Sequence, residues 1–307
     1  MGQRTGVPEP FARTVLDVFG EAGLRWLRQL PETVAGCQRR WALQVGQPFA
    51  LSYHYVAPAV RADGSRVVLK LGVPGSPGLR REAEALRLMD GRGVARLLEH
   101  DPDHGAMLLE RLEPGTPLAP LVGQHDPAAT TVAASVMAQL WRPVPAGHPF
   151  PTVADWGRGF ARQRAAFGGA SGPLPSDLFD RAERLFAELA ASMAEPMLLH
   201  GDLHHDNVLA AQRRPWLAID PKGLVGEPAY ETGALLRNPM PELLRLPSPG
   251  RVLARRVDQL TEQLGVDRVR VRRWGFAQAV LSAVWSVEDH GRGWEPALTC
   301  AELLGAA

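Results

Sequence analysis

The character of the sequence changes once, near Leu112. Before that point, short runs rich in Val, Leu and Tyr alternate with turn residues. "WALQVGQPFALSYHYVAPAVRADGSRVVLKLGV" reads as strands, with "ADGS" (Ala62–Ser65) as a hairpin turn. "GVARLLEHDPDHGAMLLERL" reads as a second strand pair about a polar turn. One or two short helices, interrupted near Gly20 to Gly23, are expected over 11–30. Another follows Ser76, a fitting N-cap: Pro77 suits the first helical position, Leu79, Ala83, Leu86 and Met89 share a face, and Gly91 stops it. After the Pro/Gly-rich "EPGTPLAPL", which reads as a connector, apolar spacing is helical over roughly 127–141, 155–167, 176–194, 251–264 and 269–287. A β-rich third followed by a helix-rich remainder predicts an α+β chain of two lobes, 1–112 and 113–307.

Charge excludes some classes of function. The net charge of +1 provides no field that would gather nucleic acid or an anionic membrane. No run of 18 apolar residues occurs, and the N-terminal stretch lacks the apolar segment of a secretory leader, so a cytoplasmic, soluble protein is expected. Two cysteines, Cys37 and Cys300, are too few for a disulfide framework or a four-cysteine zinc site and fit a reducing compartment. Of the 34 basic residues only Lys70 and Lys222 are lysines. Where Arg is the default cation, a compact ammonium marks a position to inspect.

"LLHGDLHHDNVLAAQRRPWLAID" (198–220) offers three readings: a histidine metal cluster, an acid/base site, or a polar loop. His200, His204 and His205 lack the helical His-x-x-x-His spacing with a flanking Glu, and no Cys is near, which argues against zinc. "HGDLHHDN" instead has the His-x-Asp-Leu-x-x-x-Asn pattern of kinase catalytic loops, with Asp202 as base and Asn207 as a Mg²⁺ ligand. Asp206 adjoins Asn207, but the spacing selects Asp202. "VLAAQRRPWLAI" then reads as a hairpin turning at "QRRP", which returns Asp220 to the end where Asn207 lies. Hard oxygen ligands there would grip Mg²⁺, and a carboxylate beside them could take a hydroxyl proton. The competing reading has Asp202 and Asn207 merely capping a turn, and Asp220 at the hairpin end weighs against it. His204 and His205 are expected to pack or hydrogen-bond around the loop. Lys222 reads first as a surface lysine, with phosphate contact as the alternative.

"SRVVLKLGV" sets Lys70 inside a strand. A buried ammonium there needs a partner, and Glu82 and Glu84 on the following helix are the candidates. They lie about 200° apart around a helix, so one faces Lys70. Glu82 is favoured, because Ala83 and Leu86 then flank it on the core side. No Gly-rich or Walker phosphate loop occurs; "GQPFALSYHYV", with Ser52 as a donor to phosphate, is the candidate, and a plain turn serine its alternative. The backbone of Glu110 and Leu112, entering the connector, could pair with an adenine edge.

Together "VVLKLG", "EAEALRLMDGRGVARLLEHD", "MLLERLEPGTPL", "LLHGDLHHDNVL" and "WLAIDPKGLVGEPAYETGALLRNP" resemble the aminoglycoside/hydroxyurea phosphotransferases, in particular their streptomycin 6-phosphotransferase branch, over about residues 40–290. The resemblance implies a protein-kinase-like bilobal fold that transfers the γ-phosphate of ATP, with Mg²⁺, to a hydroxyl of a small molecule. By position it makes Asp202 the base and Asn207 and Asp220 the metal ligands. Lys70 would hold the α- and β-phosphates with Glu82 orienting it, and the segment around Glu110 to Leu112 would receive adenine. Gly201 stands where protein kinases carry an Arg that senses an activation loop, so no such regulation is expected. "VWSVEDH" resembles a segment of the streptomycin branch. Its Glu288 and Asp289 would meet a cationic acceptor, against the alternative of a solvated helix end before Gly291. Hydroxyurea, another metabolite, or nucleotide binding without catalysis are the competing readings.

Overall fold

Residues 7–193 and 195–306 are described in the computed structural model, and they fall into two units. One runs up to Gly91 and adds Ala95–Leu112; the other takes Arg92–Val94 and everything from Glu113. Residues 1–6, 194 and 307, which include the expected end of the 176–194 helix, lie outside the described residues. Among those described, no helix is long and apolar enough to cross a membrane.

In the first unit α1 (Glu9–Arg40) precedes β1 (Leu43–Val45), β2 (Tyr55–Arg61), β3 (Arg66–Leu71), α2 (Pro77–Met89), β4 (Leu97–Asp101) and β5 (Ala106–Glu110). The antiparallel sheet has the order β1-β2-β3-β5-β4. Period-two alternation sorts β3 between the faces. Val67, Leu69 and Leu71 are buried among apolar neighbours; Leu69 and Leu71 pack with Phe11, Trp26, Leu27 and Leu30 of α1. Lys70 points the other way, beside its register partner Met107, on which Leu79 and Ala83 of α2 pack. The break near Gly20 is present, with φ 54° and ψ −133°, a conformation glycine adopts without strain. The helix does not end near residue 30, however, but runs through Pro31 to Arg40. Leu30 and Cys37, on either side of Pro31, are both buried in the same core, which offsets the lost backbone bond.

The second unit holds β6 (Pro114–Pro117), α3 (Ala119–Leu140), β7 (Arg142–Pro143), α4 (Val153–Ala166), α5 (Ser176–Ala191), β8 (Met197–Leu199), β9 (Val208–Ala211), β10 (Trp216–Ala218), β11 (Leu224–Gly226), α6 (Pro228–Leu236), α7 (Glu242–Arg245), α8 (Pro249–Leu264), α9 (Arg268–His290) and α10 (Glu295–Ala306). Its strands form two small sheets, β10-β9-β6 and β11-β8-β7. The segment read as a connector is therefore partly a strand, β6, paired antiparallel to β9. α3 starts at Ala119 rather than near 127, and its backbone breaks at His125, just before Pro127. Proline suits a helix's first turn, so periodicity reveals only the segment after it. α9 is the central helix, buried almost without interruption from Trp274 to Val284. Its Trp274 meets Phe186 and Tyr230 edge-on, at ring separations of 5.0 and 4.9 Å. Arg256 of α8, fully buried, binds Asp126 of α3 at 2.6 and 3.0 Å and so ties those helices by a paired charge.

Candidate active site

The hairpin between Asn207 and Asp220 closes in register. Val208 pairs with Ala218 and Leu209 with Leu217, and one step further the Ile219 N–H donates to the Asn207 carbonyl at 2.9 Å. This sets Asn207 and Asp220 at one end. The Asn207 amide then donates to the Asp202 carbonyl at 2.9 Å, across the turn that the pattern His-x-Asp-Leu-x-x-x-Asn spans. Asp202, Asn207 and Asp220 are thus brought together. Asp220 has φ 62°, the left-handed region that Asp tolerates better than most residues. Its carboxylate pairs with Lys222 Nζ at 2.6 Å, so Lys222 serves the loop rather than open solvent.

The loop is held from beneath. His200 is buried; its Nδ1 accepts the Asp202 N–H at 3.2 Å, and Nε2 faces the Ile219 carbonyl at 2.8 Å. Both ring nitrogens are satisfied by the neutral ring, and burial pushes its pKa down to about 4. Glu231, inside α6, accepts the backbone N–H groups of His200 and Gly201 at 2.6 and 2.9 Å. Burial raises its pKa to about 7 against those donors. Arg237, closing α6, reaches Asp202 Oδ1 at 3.4 Å and Gln278 at 3.2 Å. Burial works to raise the Asp202 pKa, but His204, Lys222 and Arg237 outweigh it and hold the carboxyl below its ordinary value. An ionised carboxylate is what a proton acceptor requires. His204 accepts the Asp206 N–H through Nδ1, while His205 is buried with neither ring nitrogen hydrogen-bonded.

In the first unit Lys70 and Glu82 form a buried pair at 2.7 Å, while Glu84 turns outward to Arg87. Ser52 lies exposed in the loop between β1 and β2. Glu110 ends β5, where its carboxylate accepts the Arg96 N–H at 3.0 Å, and Leu112 is buried beyond it.

Asn207 and Asp220 present hard oxygens, the donor type Mg²⁺ takes, and two protein ligands are the usual share when phosphates supply others. Among the described residues, no group of three His, Cys, Asp or Glu side chains is placed to hold a metal by itself. The residues present therefore fit a Mg²⁺–nucleotide complex better than a metal caged by protein.

The family model described as aminoglycoside/hydroxyurea antibiotic resistance kinase matches residues 40–290. The chain belongs to that family. This kinase is 37% identical to a streptomycin 6-kinase of Streptomyces glaucescens, over 97% of its own length and 96% of the relative's. It is 39% identical to a hydroxyurea phosphotransferase of Kitasatospora aureofaciens, over 94% and 82%. Its fold is that of a choline kinase from Streptococcus pneumoniae, at a TM-score of 0.62 and 13% identity, covering 91% of this chain and all of the other. The chain is thus a small-molecule kinase of protein-kinase-like fold, and ATP is its phosphate donor.

Glu288 and Asp289 lie in the last turn of α9, which Gly291 closes in the left-handed conformation. The Glu288 carboxylate is already engaged by Arg162 of α4, at 2.9 and 3.0 Å. Glu231, Arg237 and Arg162 carried no signal in the sequence pattern strong enough to mark them. Almost every residue of α6 is buried, so it shows no polar face and no amphipathic period. Its one legible signal was an acidic residue, Glu231, inside an apolar run.

Proposed function

We propose that this kinase transfers the γ-phosphate of ATP to a hydroxyl of a cationic aminoglycoside of the streptomycin type. The observation that carries the chemistry is Asn207: its amide donates to the Asp202 carbonyl and its own carbonyl accepts the N–H of Ile219, the residue before Asp220. The acceptor class is supported by the near full-length likeness to a streptomycin 6-kinase. Asp202 accepts the hydroxyl proton as the acceptor oxygen bonds to phosphorus and ADP leaves. Asn207 and Asp220 would hold Mg²⁺, which when bound neutralises charge on the phosphates. Lys70, oriented by Glu82, binds the α- and β-phosphates; Ser52 donates to phosphate; the backbone at Glu110 and Leu112 receives adenine. Residues 1–112 are then the nucleotide-binding lobe and 113–307 the catalytic one. Glu288 and Asp289 receive the acceptor's positive charge. Dependence on ATP puts the reaction in the cytoplasm.

A second acceptor, hydroxyurea, is favoured by the comparable identity to a hydroxyurea phosphotransferase. Mass spectrometry of streptomycin, other aminoglycosides and hydroxyurea incubated with the protein, ATP and Mg²⁺ tests both. A gain of one phosphate on streptomycin is expected; a gain on hydroxyurea alone selects the second reading, and no gain on any sinks both.

A further inference from the structure

The C-terminal third of α9 meets α4 around Gly159. A Cβ at that position would lie 2.9 Å from Leu281 Cδ1, 3.5 Å from an Arg162 guanidinium nitrogen and 3.6 Å from Trp285 Nε1. Glycine therefore lets three side chains converge. Trp285 is half-buried and stands perpendicular to half-buried Trp156, ring centroids 5.4 Å apart. A capping box at the start of α4, Thr152 with Asp155, fixes the turn that carries Trp156. Trp156 in turn borders the catalytic loop: a Cβ on Gly201, next to Asp202, would come to 3.1 Å from its Cη2. One aromatic pair thus runs from beside the loop to the point where the Arg162 guanidinium lies.

At the far end of that pair Glu288 holds a guanidinium. Arg162 Nε and Nη2 each donate to one carboxylate oxygen, the two-pronged geometry that suits a planar guanidinium and not an ammonium. The Glu288 side chain is 26% exposed and Arg162 is 54% exposed, so the arginine can swing into solvent while the carboxylate stays. Asp289, exposed beside it, adds a second negative charge.

We infer that Glu288 is a guanidinium receptor, occupied by Arg162 in the free protein and yielded to a guanidinium group of the acceptor, with Trp156 and Trp285 as its aromatic wall. This rests on the proposed transfer to a streptomycin-type acceptor, which carries guanidinium groups. Their faces can stack on indole, as their edges bind the carboxylate. Hydroxyurea is small and neutral and cannot displace Arg162. The arginine is then a selectivity filter: it competes for Glu288, and only an acceptor whose own guanidinium can replace it there gains the carboxylate.

Calorimetric titration with streptomycin tests this. An exposed ion pair is weak, so Arg162→Ala should bind streptomycin about two- to fivefold tighter than wild type. Arg162→Lys, which keeps the charge but loses the fork, should fall between. Glu288→Gln should bind about fivefold or more weakly, and the Arg162→Ala/Glu288→Gln pair no more tightly than Glu288→Gln alone. Methylguanidinium, followed by saturation-transfer NMR, should bind Arg162→Ala and not the double variant, whatever the acceptor is. Phosphorylation of streptomycin with unchanged affinity in Arg162→Ala, or in Glu288→Gln, overturns the inference and leaves the proposed function standing. Methylguanidinium binding that follows Glu288, without any phosphorylation of streptomycin, does the reverse.

Discussion

Glu231 accepts the backbone N–H of His200 at 2.6 Å, joining the middle of a buried helix to the start of the catalytic loop. The same carboxylate takes the Gly201 N–H, so two donors that the loop cannot satisfy internally end on one side chain. Burial of that carboxylate is tolerable because those donors are there.

Removing the acceptor should cost more than removing a surface charge. Glu231→Ala leaves both donors buried and unpaired, at about 1–3 kcal/mol each. A fall of several degrees in Tm is expected, with a loss of kcat larger than any change in KM for ATP, because the loop carrying Asp202 loses its anchor. Thermal scans and steady-state kinetics measure both. A variant with wild-type kcat would show that the loop holds itself.

The two buried groups respond to acid in opposite directions. His200, whose pKa falls to about 4, contributes stability above pH 6.5 that is lost as pH drops through 4. Glu231, raised to about 7, contributes stability below pH 4.5 that is lost as pH rises through 7. Each is worth about 3 kcal/mol, so together they nearly cancel between pH 7 and 4. Urea unfolding across that range should show Glu231→Gln losing stability in acid relative to wild type. His200→Gln should gain it. Parallel curves for all three proteins would refute the coupling.

Lys70 and Glu82 are a buried pair, and breaking one half strands the other. Lys70→Met should destabilise the first unit by about 3–5 kcal/mol, whereas Lys70→Met/Glu82→Leu should recover most of that loss. Nucleotide affinity should not return with stability, since the cation is still missing. Denaturation midpoints and ATP titrations separate the two effects; recovery of ATP affinity in the double variant would remove Lys70 from the phosphate site.

Asp202→Asn keeps the size of the side chain and removes the proton acceptor. A loss of about 10²–10⁴-fold in kcat is expected, with KM for ATP within a fewfold of wild type. Asn207→Ala and Asp220→Ala should instead raise the Mg²⁺ concentration needed for half-maximal rate. Initial rates across a magnesium series distinguish them, and equal magnesium dependence in all the variants would move the metal elsewhere.

Much of this protein was written in local pattern. Strand alternation across Arg66–Leu71, the turn at Ala62–Ser65 and the Pro77 helix start are short-range features, and the fold keeps them. Spacing within 207–220 was enough to set Asn207 and Asp220 at one end of a hairpin, because a hairpin's register follows from its own turn. Where chain segments distant in sequence meet, no pattern told. Glu231 against His200, Arg237 against Asp202 and Arg162 against Glu288 are separated by 31, 35 and 126 residues. Local periodicity reports which side of an element is apolar, not which element will lie opposite. A helix buried on all sides, such as α6, does not even report that. Pairing of remote charges is decided only when packing brings their helices together, which is why the hairpin that sets Asn207 and Asp220 at one end could be read from the sequence and the supports of its loop could not.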